Sequence, residues 1–428
     1  MPDGRSEAGA SGPGREGARA PFRQRAEAAA QAMRALFPPT PLQRNDHLSR
    51  RYGAEIWLKR EDLTPVRSYK LRGAYNAMRK LDGRPVACAS AGNHAQGVAW
   101  MCRELDVDGT IFMPVTTPGQ KIDKTRAFGG GRVRIELEGD VFDDALAAAK
   151  AYCAREGAHF LSPFDDPDVI EGQAAVAVEM LEQLGGPPDI AVIPVGGGGL
   201  SAGMLGYLRA VGVPCQPRLV EPLGGASLSA ALEAGRPVTL PRLDNFVDGA
   251  SVARVGERPF EFLRQVPLPH VLRVPEDRVC VTLTEMLNVE GIVLEPAGAL
   301  AVDALADLRP EIEGRRVVCV TSGGNFDFER LPDVKERAMR FQGLKKYFVL
   351  RLAQRPGALR EFLEILGPHD DIARFEYLKK STRNFGSVLI GIETTDPDAF
   401  RHLTAAMDAR SIRWRDITDD AALAELVI

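Results

Sequence analysis

The sequence has little cysteine and no ordered use of it. Its six cysteines (Cys88, Cys102, Cys153, Cys215, Cys280 and Cys319) stand apart, with no C-x-x-C spacing. That pattern argues against a disulfide framework or a zinc site and fits a reducing, cytoplasmic compartment. Charge of one sign is lacking too. Lys and Arg number 54 against 58 for Asp and Glu, a net charge of −4, so nothing electrostatic calls for nucleic acid or an anionic membrane as partner. The longest uncharged run, Ile190 to Leu208, approaches a membrane span in length but holds Pro194 and six glycines, too little apolar bulk to enter lipid. The opening MPDGRSEAGASGPGREGARA has no apolar stretch of a secretory signal, and residues 1–20 read as a disordered tail. What is present in excess is glycine, 42 of 428 residues, about 10% where about 7% is usual.

A chain of 428 residues is too long for one small core and suits two or three domains. Residues 21–37 read as an Ala-rich helix stopped by Pro38 and Pro39. From there to about 330, apolar runs such as RPVACAS, DGTIFMPV, RVRIELEG, DIAVIPV, PRLVEP and RRVVCVTS alternate with stretches of helical period. This predicts an α/β domain over 21–335 with parallel sheet buried on both faces. After Phe341 the rhythm becomes βαββαβ, from LKKYFVLRLA to SIRWRDI. That is the ferredoxin-like α+β pattern of a separate small domain, 345–428.

Three strand ends carry glycine. PVACASAGNHAQG passes through Gly92 into a helix starting near Asn93; DIAVIPVGGGGLSAG passes through Gly196, Gly197, Gly198 and Gly199; RRVVCVTSGGN runs to Ser322, Gly323, Gly324 and Asn325. In a parallel sheet, ligands bind beyond the carboxyl ends of the strands. Glycine there lets the backbone approach closely, and a following helix start attracts anions. The tetraglycine loop alone leaves three chemistries open. It fits a phosphate cradle. It also fits a dinucleotide fingerprint through Gly197, Gly199 and Ala202, with Glu221 as ribose partner. As Gly199-Leu200-Ser201-Ala202-Gly203 it fits a hydrolase elbow with Asp248 and His270 as partners, although Ser201 lies six residues past the strand end.

Lys70, in LKREDLTPVRSYKLRGAYN, lies at a predicted helix start. Backbone dipoles there make a neutral amine less unfavourable, and a neutral lysine is what Schiff-base chemistry with an aldehyde needs. SYKLRGA, SAGNHAQG, GGGGL and TSGGN, in this order and with KREDLTP upstream, resemble the fold-type II (tryptophan synthase β-like) pyridoxal-phosphate enzymes, in particular the threonine dehydratase (threonine deaminase) family. The resemblance covers about 25–340, and RPGALREFLEILGP with IARFEYLKK resembles the single ACT-like regulatory domain of that family's short biosynthetic forms.

The resemblance implies two α/β subdomains and pyridoxal 5'-phosphate as cofactor. It implies that Lys70 holds the cofactor as a Schiff base and moves the α-proton. Gly196, Gly197, Gly198, Gly199 and Leu200 would cradle the phosphate, Asn93 would bond the phenolic oxygen, and Ser322 would face the pyridine nitrogen. Ser90, Ala91, Gly92 and His94 would lie along the substrate carboxylate, and Glu295 reads as structural. The implied reaction is β-elimination from L-threonine to 2-oxobutanoate and ammonia, opening isoleucine biosynthesis. Isoleucine is the implied effector, sought near Arg355 to Leu359, and the implied assembly is a homotetramer. Related serine racemases carry a second serine where Ala91 stands, so racemisation is disfavoured. A serine dehydratase or other lyase of this fold type is the nearest alternative. A non-catalytic amino-acid sensor is the alternative from another class, though such a sensor has no need of Lys70.

Overall fold

The computed structural model describes residues 19–378 and 384–420. The expected tail therefore lies outside the described residues except for Arg19 and Ala20, which open the first helix, Arg19–Met33. Most of the KSTRN junction and the last eight residues lie outside as well. The described chain forms two compact units. One comprises the residues up to Glu276 with Gly291–Phe326, the other Asp277–Glu290 with the residues from Asp327 onward.

In the first unit, apolar runs with few charges become strands covered on both faces. Ile190, Ala191, Val192 and Ile193 are all fully buried, as are Val317 to Val320. They sit in a six-stranded sheet ordered Leu42–Arg44, Glu55–Arg60, Arg316–Thr321, Ile190–Pro194, Gln216–Pro222, Val271–Val274. Every neighbouring pair is parallel except the first, so the expected parallel sheet carries one antiparallel strand at its edge. A second sheet, ordered Val133–Leu137, Gly109–Met113, Val86–Ala89, His159–Phe160, is parallel throughout.

The helix Pro167–Leu184 is the hub on which the site-bearing helices pack. Asp166 starts it, its side chain accepting from Asp168 and Val169 N–H, with Pro167 in the first turn. The helix Lys70–Met78 lies so close that a Cβ on Gly172 would stand 2.5 Å from Arg72 O. Only glycine permits that approach.

Charges hold this contact together. Arg72 is wholly buried and donates through Nε and Nη2 to Glu61, and through Nη1 and Nη2 to Glu179, at 2.7–2.9 Å. Lys59, also wholly buried, donates to Glu179 Oε2 and Thr40 O, each at 2.7 Å, and to Gln183 Oε1 at 3.1 Å. Two cations thus neutralise two carboxylates, and the group joins three elements: the end of strand Glu55–Arg60, the Lys70 helix and the hub helix.

The second unit contains the βαββαβ fold: Lys345–Ala353, Ala358–Leu363, Asp370–Leu378, Phe385–Thr394, Ala399–Ala409 and Arg413–Asp416. Its sheet is antiparallel, with the second strand at one edge, then the third, the first and the fourth. Phe348, Leu350 and Leu352 alternate along the first strand and bury against Phe362, Phe400 and Met407 of the two helices. Among the described residues no helix is long and apolar enough to cross a membrane.

Arg72→Met should leave Glu61 and Glu179 buried with too little positive charge. Urea unfolding of the variant should show a loss of roughly 3–5 kcal/mol. A change inside about 1 kcal/mol, the range of a surface ion pair, would contradict the role given to this cluster.

Candidate active site

The site lies beyond the carboxyl ends of the parallel strands and takes parts from both sheets of the first unit. Strand Ile190–Pro194 leads into the tetraglycine loop, and helix Gly199–Val211 follows. The ring of Phe164 lies against this loop: a Cβ on Gly197 would fall 2.2 Å from Phe164 Cδ1. Gly198 has φ +89°, the left-handed region. The loop carbonyls are used elsewhere, Gly197 O by Gly256 N–H and Gly198 O by Ala202 N–H and Ser201 Oγ. The first N–H groups of helix Gly199–Val211 have no acceptor within the helix, so this is a donor-rich start suited to an anion.

Lys70 opens the helix Lys70–Met78, and the segment before it is stitched to the end of strand Arg316–Thr321. Tyr69 N–H donates to Ser322 O, Gly324 N–H donates to Arg67 O, and Ser68 bridges to Gly323. Within this stitch Arg67 takes φ 58°, a left-handed conformation uncommon for a residue with a long side chain and a mark of local strain. Lys70 Nζ donates to Pro163 O at 3.0 Å and stands 5.2 Å from the Tyr69 ring centroid and 6.0 Å from that of Phe164. The side chain keeps some solvent access. The protein packed round the ammonium nevertheless strips its water and lowers its pKa to about 8, against the pull of Glu295.

The second sheet contributes the loop after strand Val86–Ala89. Ser90, Ala91, Gly92 and Asn93 are all partly exposed, and a Cβ on Gly92 would meet open space. Asn93 opens the helix Asn93–Glu104. Its Nδ2 donates to Glu295 Oε1 at 2.6 Å, and its Oδ1 accepts from Asn325 Nδ2 at 2.7 Å. Ser322 is buried and gives its hydroxyl proton to Ala297 O at 3.1 Å. His94 is buried, and its Nε2–H donates to Leu161 O at 2.9 Å. Desolvation, then the charge of Lys70, hold its pKa at about 3, so the ring is neutral. Its backbone belongs to the helix start, but its imidazole is engaged away from the open loop.

Lys70, Asn93 and Ser322 are thus drawn to one region with the glycine loop, which also holds residues passed over in the sequence. Glu295, expected to be structural, contacts Asn93. Burial and the nearby Asp248 push its pKa up to about 7, against the Asn93 hydrogen bond and the charges of Lys121 and Lys124. Phe164, Asn325 and Lys124 complete the surroundings. Of these only Asn325 stood inside a recognised motif.

The other two readings of the glycine loop find no support. Ser201 Oγ donates to Gly198 O, and Asp248 accepts from Lys121 at 2.9 Å, so neither takes part in a serine–histidine relay. Glu221 is fully buried, accepts both N–H and hydroxyl of Ser229 and caps the helix Ser227–Ala234; it is not available to a ribose.

Residues 34–323 match the family model for pyridoxal-phosphate dependent enzymes, and 336–427 that for the C-terminal regulatory domain of threonine dehydratase. The protein called L-threonine dehydratase biosynthetic IlvA in Bacillus subtilis is 47% identical over 394 residues, 91% of this chain and 93% of that one. The Lactococcus lactis protein of the same name is 43% identical, covering 94% and 98%. The structure of the processed form of threonine deaminase isoform 2 from Solanum lycopersicum is similar at TM-score 0.69 and 36% identity, covering 74% of this chain and 94% of that one. Maize serine racemase, at TM-score 0.66 and 23% identity, shares the fold.

Gly197→Ala should be destabilising by roughly 1–3 kcal/mol, as overpacking is, because the new methyl overlaps Phe164. Adding Phe164→Leu should recover part of that loss in thermal unfolding. Full tolerance of the single change would contradict the close packing described.

Proposed function

The chain belongs to the pyridoxal-phosphate-dependent enzyme family and carries a threonine dehydratase regulatory domain, and we propose that it eliminates water from L-threonine to give 2-oxobutanoate and ammonia, the entry to isoleucine biosynthesis. This reading rests on one juxtaposition: a lysine whose ammonium pKa is about 8, its Nζ 6.0 Å from the centroid of the Phe164 ring that packs on the glycine-built anion cradle. The residues suit pyridoxal 5'-phosphate. The cradle has no room for side chains on its Phe164 side, and the nearby amine loses its proton far more readily than an exposed lysine.

Gly196, Gly197, Gly198, Gly199 and Leu200 would hold the phosphate, Lys70 the aldehyde carbon, Asn93 the phenolic oxygen and Ser322 the ring nitrogen. When bound, the cofactor supplies a ring that accepts the electron pair left at the α-carbon. Lys70 Nζ would be the base that takes the α-proton, and its lowered pKa suits that task near neutral pH. The substrate carboxylate would lie along Ser90, Ala91, Gly92 and the backbone at His94, against a helix N-terminus. Ala91 offers no proton to the opposite face of the α-carbon, which favours elimination over racemisation. Ser322, being neutral, leaves the ring nitrogen without a charged partner.

In the second unit we assign the regulation. An amino-acid effector, isoleucine, acts there by binding one arrangement of the protein better than another. A cytoplasmic homotetramer is the assembly this reading carries.

Purified protein given the cofactor should show a violet absorption band that Lys70→Ala abolishes, and should release 2-oxobutanoate from threonine faster than pyruvate from serine. No band in the wild type would sink the assignment. Isoleucine should slow threonine turnover and make its dependence on substrate sigmoidal; an unchanged rate and curve would remove the regulatory part alone.

A further inference from the structure

Asn93 is clamped from both sides by groups to which the reaction above gives no task. Its Oδ1 accepts from Asn325 Nδ2 and its Nδ2 donates to Glu295 Oε1. Asn325 gives its other amide hydrogen to Val66 O at 2.8 Å, and its own Oδ1 accepts from Lys124 Nζ. The ends of this row decide its direction. An ammonium only donates, and a backbone carbonyl or a carboxylate only accepts. Reversing the Asn93 amide would set oxygen against the carboxylate and N–H against N–H, so the network admits one orientation. In that orientation one N–H of Asn93 is left over for a further acceptor.

Two features show that Glu295 is placed for this contact. It occupies the N-cap position of helix Pro296–Asp303 with extended backbone (φ −80°, ψ 163°), yet its carboxylate makes no capping hydrogen bond. The ordinary local use of an acidic residue at a helix start is therefore forgone. Space is also kept clear for it: a Cβ on Gly323 would fall 2.1 Å from Glu295 Oε1. The first glycine of the TSGGN motif thus makes room for a carboxylate.

We infer that Glu295, together with Asn325 and Lys124, is a positioning relay that fixes the Asn93 amide so that it presents an N–H, and not its carbonyl, to an anionic oxygen of the bound cofactor. The inference rests on Lys70 being the cofactor-bearing lysine. Glu295 titrates near pH 7 in an environment that includes Lys70, Tyr69, Lys121, Lys124 and Asp248. Above that pH it is a carboxylate and enforces the direction. Below it, the carboxylic acid can donate as well as accept, and the enforcement at that end is lost.

The test is the cofactor dissociation constant, obtained by spectral titration of apoenzyme with pyridoxal phosphate between pH 6 and 8.5, for wild type, Glu295→Gln and Asn325→Ala. Glutamine can face Asn93 either way round, so Glu295→Gln should bind about tenfold more weakly than wild type at pH 8, the lower end of the usual effect of losing a supporting partner. The ratio of variant to wild type should approach one near pH 6. Asn325→Ala should weaken binding at both ends of the range. If Glu295 acted only through its charge, its removal would lower the Lys70 pKa further and tighten binding at neutral pH. A ratio at or below one at pH 8 would therefore overturn the relay, as would a ratio that does not vary with pH. A wild type that forms no violet band with the cofactor would instead reject the assignment of Lys70 on which the relay rests.

Discussion

The salt-bridged contact of Arg72 with Glu61 and Glu179 is the constraint from which the rest of the site follows. Arg72 lies two residues after Lys70 on the same short helix, and its guanidinium is held by two carboxylates from two other elements. Glu61 comes from the 3-10 turn that follows strand Glu55–Arg60 of the large sheet, and Glu179 from the hub helix. A helix of nine residues would be marginal by itself. Here its first turn is set by buried, bidentate ion pairs, which are geometrically demanding and tolerate little displacement. The stitch between residues 67–69 and 322–324 then fixes the approach to Lys70. The lysine is thus supported by buried charge just after it in the chain and by backbone hydrogen bonds just before it, as a reactive group needs to be.

The environment also brings the pKa values of two of the site's ionisable side chains, Lys70 and Glu295, toward each other. Burial lowers the Lys70 pKa to about 8 and raises that of Glu295 to about 7. Two groups that would be fully charged in water both sit close to a change of state at neutral pH. Pairs of this kind mark places where protons are moved or orientations switched. His94, close enough to feel the charge of Lys70, is driven the other way and stays neutral on Leu161 O.

Much of this was legible in the sequence because backbone requirements leave strong local marks. The strand–glycine–helix junctions at Gly92 and Gly196–Gly199 appear where they were expected, and Lys70 does open its helix. The βαββαβ rhythm after Phe341 corresponds to an observed sheet with a buried alternating face. The strands not foreseen were Leu42–Arg44, Glu55–Arg60, His159–Phe160 and Val271–Val274. They are short or rich in polar residues, and long-range pairing rather than local pattern makes them strands. Side-chain destinations were the least legible. At Glu295 the sequence before Pro296 reads as an ordinary helix start, and only the fold shows its carboxylate turned to a residue 202 positions away. The same holds for Glu221, whose spacing suited a ribose until the fold showed it capping a helix.

The chemistry of the site converges on a single atom, Lys70 Nζ. Reducing the holoenzyme with borohydride fixes the cofactor to whichever amine carries it, and peptide mass mapping identifies that amine. The reduced cofactor should be found on Lys70 alone, in the peptide containing SYKLRGA. A cofactor found on another lysine, or on none, would contradict it.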